Sequence, residues 1–163
     1  PTRDFRDLED RYGVLILNAA EIETDYGHML VYGVNRDILA RFDFANVRLP
    51  AQDVVTEIFR KGGVALPCHP GRPTVGLCAH YDTRGPLDGV IAVEALNGGS
   101  KKGEDDRVRA LMEQYGYAGY GGSDSHLVSF VGTVATEFDR DIRSIDDLVE
   151  ELRAGRCRAW SAP

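Results

Sequence analysis

Apolar residues recur along the chain in two patterns, one typical of helices and one typical of strands. Helical spacing covers 51–61 and 105–115, and it appears again from Ser144, a favourable N-cap residue, to Ala154. Apolar runs of strand length alternate with these helices, and they cover 64–66, 90–96, 117–120 and 131–136. Strands separated by helices in this way predict an α/β fold with a mainly parallel sheet.

Two further segments show other patterns. A short helix is predicted over 5–12, and a β-hairpin is predicted over 14–32 with its turn at 25–27. Residues 71–88 contain Pro and Gly at irregular spacing, so we expect a long surface loop with at most a short helical turn. Long loops of this kind often carry functional residues.

The length bounds the architecture. The 163 residues fit one domain, 1–163. A complete (β/α) barrel needs about 200 residues or more. With only five or six strands predicted, the chain alone would leave an open sheet edge, and we expect a missing segment to cover it.

Composition and charge exclude several classes of protein. The chain is 43% hydrophobic and 28% charged, as in a folded globular protein, and its longest apolar runs fall far short of the roughly 20 residues that span a bilayer. The net charge of -7 disfavours a nucleic-acid partner unless bound metal reverses the local field. Three cysteines, Cys68, Cys78 and Cys157, form no C-x-x-C pair, which favours a reducing compartment and hence the cytoplasm.

Potential metal ligands follow the ends of four apolar runs. These are Glu21, His69, Glu94, and the pair Asp124 and His126. Because the carboxyl ends of parallel strands open onto one rim, residues far apart in sequence can converge there. In an extended segment, residues 124 and 126 would point the same way and offer a carboxylate and an imidazole to one cation. Taken alone, the segment could equally be a Gly-rich turn capped by Asp124, with His126 on the surface.

Several other polar residues have a structural alternative. His69 could be a hydrogen-bonded, half-buried histidine, and strand alternation would turn Cys68 away from it as a small core residue. Glu21 and Glu23 share one strand face, and His28 begins the returning strand, where it could reach the rim or be solvated. The His80 segment repeats the His and Asp spacing in the irregular loop, and we treat it as incidental. Together, the His and carboxylate donors predict a hydrolytic site for Mn, Fe or Zn rather than a structural, cysteine-rich zinc site.

The order of these motifs resembles the PHP (polymerase and histidinol phosphatase) family of metal-dependent phosphoesterases. Residues 20–24 with 27–30 are similar to its Gly-x-Glu segment and Gly-His strand, and 62–70 to its Gly-Gly…His-Pro segment. Residues 88–98 resemble its Ile-Glu-Val-x-Asn-Gly strand, and 121–126 resemble its Gly-Ser-Asp-Ala-His segment. The resemblance implies the C-terminal portion of a distorted (β/α)7 barrel. The family's opening His-x-His strand and its Asp-His segment do not occur in this sequence, so we expect a domain that is incomplete at its N-terminus.

The resemblance also implies a site and a reaction. The metal ligands would be Glu21, His28, His69, Asp124 and His126, while Glu94 would be architectural. Two or three divalent ions in the complete site would share a bridging hydroxide that hydrolyses a small phosphate ester, with no catalytic residue beyond the ligands. The missing N-terminal segment would act in cis or in trans. The alternatives are a non-catalytic PHP remnant or split-barrel subunit that serves as a scaffold, and a phosphodiesterase or exonuclease module.

One cation near the predicted ligands is a candidate for substrate binding. Arg72 follows His69 by three residues. If its loop folds over the site, its guanidinium could pair with a phosphate, since arginine recognises phosphate oxygens in a bidentate way. The alternative is a surface arginine without this role.

Overall fold

The computed structural model describes residues 4–163, which form a mixed α/β structure of small sheets and short helices. Its helices are α1 (Arg6–Tyr12), α2 (Arg36–Arg41), α3 (Ala51–Arg60), α4 (Cys78–Arg84), α5 (Glu104–Tyr115) and α6 (Ile145–Arg153). Its strands are β1 (Ala19–Thr24), β2 (Gly27–Tyr32), β3 (Val64–Pro67), β4 (Ala92–Asn97), β5 (Ala118–Gly122), β6 (Val134–Glu137) and β7 (Arg158–Ser161).

The first sheet has the strand order β1-β2-β3, and both of its pairings are antiparallel. The predicted hairpin is confirmed, and its register places Glu23 opposite His28 and Glu21 opposite Leu30. Leu30 in turn lies opposite Leu66 of β3. Because directly paired residues share a face of a sheet, the acidic residues of β1, His28 and the even-numbered residues of β3 all project from the same side.

The prediction of a mainly parallel sheet is wrong. Within residues 4–163, only β4 and β5 pair in parallel, while β6 and β7 form an antiparallel pair. The two-residue turn between β1 and β2 permits only antiparallel pairing, and the alternation of helices and strands elsewhere does not fix strand direction. The three sheets close into no barrel among the described residues, so the (β/α)7 barrel stays a prediction.

Two apolar clusters hold these sheets in place. The larger packs the buried face of α3, including Val54 and Ile58, against Ile22, Met29 and Val31 on the back of the first sheet. The smaller joins the front of that sheet to β4, β5 and α6, and its buried members are Val64, Leu66, Ala92, Tyr120, Val149 and Leu152. Both faces of the first sheet therefore contact apolar side chains, and its front face also carries Glu21 and Glu23 of β1 and His28 near the start of β2.

All four predicted helices are confirmed, with boundaries within one or two residues. α6 has the predicted N-cap, since the Ser144 hydroxyl accepts a hydrogen bond from the Asp147 backbone N–H at 3.1 Å. The predicted loop at 71–88 contains the seven-residue helix α4. The sequence patterns did not predict α2 or β7.

No helix in residues 4–163 has both the length and the hydropathy that a membrane crossing requires.

Candidate metal centre

Glu21, His28 and His69 meet at one end of the first sheet. Glu21 Oε1 lies 2.8 Å from His28 Nδ1 and 3.2 Å from His69 Nε2. The two imidazole rings pack edge to face, with centroids 5.1 Å apart. The hairpin register brings Glu21 and His28 to the same face, and the end of β3 adds His69. Two predicted ligands, His28 and His69, therefore contact the same oxygen of a third, Glu21.

The carboxylate of Glu21 is held in its ionised form. Its hydrogen bond to His69 outweighs the effect of partial burial and, together with the contact to His28, lowers the pKa of Glu21 to about 2. A carboxylate with this pKa stays negatively charged at neutral pH. It can therefore act as an oxygen ligand for a cation without first losing a proton.

Cys68 joins this cluster, contrary to the prediction from strand alternation. His69 has a φ of +31°, which lies outside the strand region and bends the backbone after β3. The bend brings His69 Nε2 to 3.5 Å from Cys68 Sγ, and both residues are buried. Burial and, secondarily, the nearby carboxylates of Glu21 and Glu94 raise the pKa of the Cys68 thiol. Cys68 is thus a core residue, as predicted, but its sulfur faces the candidate ligands.

Glu94 of β4 fixes the bend at His69. Its Oε2 accepts a hydrogen bond from the His69 backbone N–H at 2.5 Å and another from Asn97 Nδ2 at 2.9 Å. Only 3% of Glu94 is exposed, and this burial raises the pKa of its carboxyl. The side chain binds the backbone of a candidate ligand, which fits the architectural role expected for this position.

Asp124 of the segment after β5 pairs with the predicted phosphate-binding arginine. Arg72 donates a hydrogen bond to Asp124 Oδ2 and a weaker one, at 3.3 Å, to Asn97 Oδ1. Gly99 leaves room for the pair, since a Cβ at that position would lie 2.9 Å from the Arg72 guanidinium and 3.2 Å from Asp124 Oδ2. The loop that carries Arg72 therefore folds toward the predicted ligands. There the Arg72 guanidinium binds the carboxylate of Asp124.

His126 is exposed to solvent beside Asp124. Its side chain is 84% exposed, and its Nδ1 lies 2.9 Å from the Asp124 backbone oxygen and 3.9 Å from Asp124 Oδ1. The expected extended geometry of 124–126 is wrong, because Asp124 adopts a φ of +48°. The two side chains thus do not project in parallel from an extended segment.

A metal ion fits part of this arrangement. One ligand atom each from Glu21, Cys68 and His69 lies within 4.8 Å of the other two. His69 is 3% exposed, and its Nδ1 is the buried side-chain nitrogen or oxygen in residues 4–163 that has no hydrogen-bond partner. The atoms that face one another are His69 Nε2, a Glu21 carboxylate oxygen and the Cys68 sulfur, and this donor set suits a divalent ion.

A cleft of about 350 Å³ adjoins the cluster at His28. Its other walls include Arg48, Thr74 and His80, so the incidental His80 of the sequence pattern lies beside the candidate site. A volume of this size is at the lower end of small-molecule sites, roughly 300 to 1,000 Å³.

Sequence reasoning missed Cys68 and Asn97 as members of this site. Cys68 and His69 stand between two prolines, Pro67 and Pro70. Because proline interrupts regular strand structure, this context was a signal that alternation would fail there. Asn97 hydrogen-bonds to both Glu94 and Arg72. Apart from its position at the end of an apolar run, nothing in the sequence indicated this role.

Comparisons with known proteins agree with the motif at 121–126, which lies within the matched family segment. A family model described as PHP-associated matches residues 103–157, about a third of the chain, so the resemblance to the PHP family is confirmed for that portion. The crystal structure of PsfC from Pseudomonas syringae PB-5123 is similar to this chain, with a TM-score of 0.71 and 21% sequence identity, over 93% of this chain and 61% of that chain. The chain thus spans about three fifths of the length of PsfC, and the likeness concerns the fold alone. No curated protein matches the chain.

Proposed function

We propose, from the premise that residues 103–157 are a PHP-associated segment, that this chain takes part in metal-dependent hydrolysis of a small phosphate ester. The observation that carries the proposal is the shared Glu21 oxygen, which lies 2.8 Å from one imidazole and 3.2 Å from a second. Carboxylate and imidazole donors at the ends of strands are typical of catalytic metal centres.

The proposed ligands are Glu21, His28, His69, Asp124 and His126. A divalent ion bound there would lower the pKa of a coordinated water and polarise the phosphate. Glu21 contributes a permanent negative charge, and Glu94 holds the His69 backbone in place. Asp124 and His126 would join after a local change, since Asp124 now pairs with Arg72 and His126 faces solvent. Arg72, once released, could pair with a substrate phosphate.

A further segment would complete the centre, either in cis or in trans. Within residues 4–163, β1 pairs with β2 and otherwise forms one isolated bridge, between Thr24 and Leu49. The free edge of β1 could receive another strand by main-chain hydrogen bonding. Such a strand would lie next to Glu21 and could add metal ligands there.

A non-catalytic role is the second candidate. It is favoured by the Arg72–Asp124 ion pair, in which an arginine already neutralises a proposed ligand, and by the exposure of His126. In that case the chain would serve as a scaffold or subunit that has lost its metals. Metal binding separates the two functions.

The test uses a longer protein that joins this chain to the completing segment. It measures turnover of a generic phosphate ester, p-nitrophenyl phosphate, by the metal-free protein after addition of Mn²⁺, Fe²⁺ or Zn²⁺. We expect metal-dependent hydrolysis that falls by at least about 100-fold in Glu21→Gln and Asp124→Ala, because each removes an anionic ligand. The control is Glu113→Gln, which neutralises an exposed carboxylate of α5 and should keep wild-type turnover.

Three outcomes decide between the candidates. Unchanged turnover in both ligand variants would contradict the ligand assignment. Metal binding without turnover, even with the rest of the reading frame present, would favour the scaffold. Absence of any metal binding by that longer protein would eliminate the enzyme.

A further inference from the structure

The bend at His69 creates a constellation that a regular strand would forbid. In an extended segment, Cys68 and His69 would project to opposite faces. With the φ of +31° at His69, Cys68 Sγ lies 3.5 Å from His69 Nε2, and Glu21 Oε1 lies 3.2 Å from the same nitrogen. Sulfur, nitrogen and oxygen donors therefore converge on one small volume.

Two of the three donor separations match tetrahedral coordination, and the third, between Cys68 Sγ and the Glu21 carboxylate, is within 4.8 Å. With Zn–S of about 2.3 Å and Zn–N and Zn–O of about 2.0 to 2.1 Å, a tetrahedral angle places S and N about 3.6 Å apart and N and O about 3.4 Å apart. The observed separations are 3.5 Å and 3.2 Å. Three protein ligands with one open position is also the usual composition of a catalytic zinc site.

Burial points to the same conclusion. Cys68 and His69 are both buried, so their facing sulfur and Nε2 donors lie apart from bulk water, while the nitrogen of His69 without a hydrogen-bond partner is Nδ1 on the other side of the ring. Cys78 offers a comparison, because it is also buried but belongs to the larger apolar cluster and to no group of potential metal ligands within residues 4–163. Burial of a thiol in this protein therefore does not by itself produce a donor set.

We propose that Cys68 is a metal ligand, and that Glu21, Cys68 and His69 form a one-ion site that prefers Zn²⁺ to Mn²⁺ or Mg²⁺. On binding, the ion would displace the Cys68 thiol proton into solvent. The resulting thiolate favours zinc, whereas manganese and magnesium favour oxygen ligands. The site rests on the metal-dependent function proposed above, to which it adds a sulfur ligand and a metal preference. It does not require Asp124 or His126.

The first test is titration of the metal-free chain with Co²⁺, which reports sulfur ligation spectroscopically. Wild-type protein should develop a sulfur-to-cobalt charge-transfer band in the near ultraviolet, and Cys68→Ser should lack it. Calorimetry should show a Zn²⁺ affinity at least about tenfold lower for Cys68→Ser. Replacing a residue that only hydrogen-bonds to a metal ligand already lowers metal affinity about 10- to 100-fold. Mn²⁺ binding should change less. Cys78→Ala is the matched control and should behave as wild type.

A second measurement needs no variant at Cys68. X-ray absorption of the zinc-loaded Cys78→Ala/Cys157→Ala protein, which keeps Cys68 as its one cysteine, should show a sulfur neighbour at about 2.3 Å. This measurement decides the question if Cys68→Ser fails to fold.

The results also separate this site from the proposed function. A zinc shell of nitrogen and oxygen alone, with binding that still depends on Glu21 and His69, would overturn the sulfur ligand and leave the metal-dependent function in place. Failure of the wild-type chain to bind either Zn²⁺ or Co²⁺ would overturn the one-ion site. Metal-dependent turnover by the longer protein would then still decide the proposed function.

Discussion

Glu94 holds the His69 backbone in place by a hydrogen bond, and its replacement should lower the free energy of unfolding. Glu94→Ala takes the acceptor from two donors, the His69 backbone N–H and Asn97 Nδ2, which lie 2.5 Å and 2.9 Å from its carboxylate. A buried donor left without a partner costs about 1 to 3 kcal/mol, so the two together should cost about 2 to 6 kcal/mol. Typical domains have only about 5 to 15 kcal/mol of stability, so this variant should lose a large share of its free energy of unfolding.

Glu94→Gln should be much milder. Its amide oxygen can still accept both hydrogen bonds, and the buried negative charge is gone. Neutral hydrogen bonds contribute about 1 kcal/mol less than charged ones. Because burial raises the pKa of the wild-type carboxyl, removal of its charge offsets part of that loss, and we expect a net cost of about 1 kcal/mol.

Urea denaturation in the presence of a chelator measures both variants. With a slope of about 2 kcal/mol per molar urea, a loss of 2 kcal/mol lowers the midpoint by about 1 M. Glu94→Ala should therefore shift by about 1 M or more, and Glu94→Gln by about 0.5 M. A midpoint for Glu94→Ala that matches wild type, or equal shifts in the two variants, would refute the proposed role of the carboxylate as an acceptor for His69.

Two further contacts give separate predictions. Tyr120→Phe removes the hydrogen bond from the buried Tyr120 hydroxyl to the Pro67 carbonyl, at 2.8 Å, so urea denaturation should show a loss of about 1 kcal/mol; unchanged stability would contradict the contact. Glu151, whose side chain is 2% exposed, accepts two hydrogen bonds of 2.8 Å from Arg156, and this contact lowers its pKa below the ordinary 4.5. Glu151→Gln should therefore lower the melting temperature at pH 7, and its difference from wild type should shrink as the pH falls below about 4.5 and through the lowered folded-state pKa. A difference that stays constant from pH 7 to pH 3 would be the contrary result.

Local features of the fold could be predicted from the sequence because they depend on neighbouring residues. The hairpin turn at 25–27, the apolar stripe of α3 and the N-cap at Ser144 are all encoded within a few positions. Strand direction and the pairing of β6 with β7 depend on contacts between distant segments, and no periodicity records them. The antiparallel pairing of β2 with β3 is such a case, since two helices lie between these strands.

The same distinction applies to the site. Convergence at a common site was predicted from the carboxyl ends of parallel strands. Glu21 lies within β1, and the antiparallel register of β1, β2 and β3 is what brings it to His28 and His69. The Arg72–Asp124 pair joins residues 52 positions apart, and the left-handed backbone at His69 and Asp124 is set by the surrounding packing. Cys68 was therefore placed on the wrong face, and the expected parallel projection of Asp124 and His126 did not occur.

The position of Glu21 on β1 affects how its variants must be studied. β1 leaves one side of its backbone largely unpaired within residues 4–163, and Glu21 and Glu23 are exposed there. Charged residues on such strands oppose edge-to-edge association of identical chains. Neutralising Glu21 therefore weakens a barrier to aggregation at the same time as it removes a candidate ligand. Any loss of activity in Glu21→Gln should be compared with the hydrodynamic size of the sample before it is attributed to chemistry.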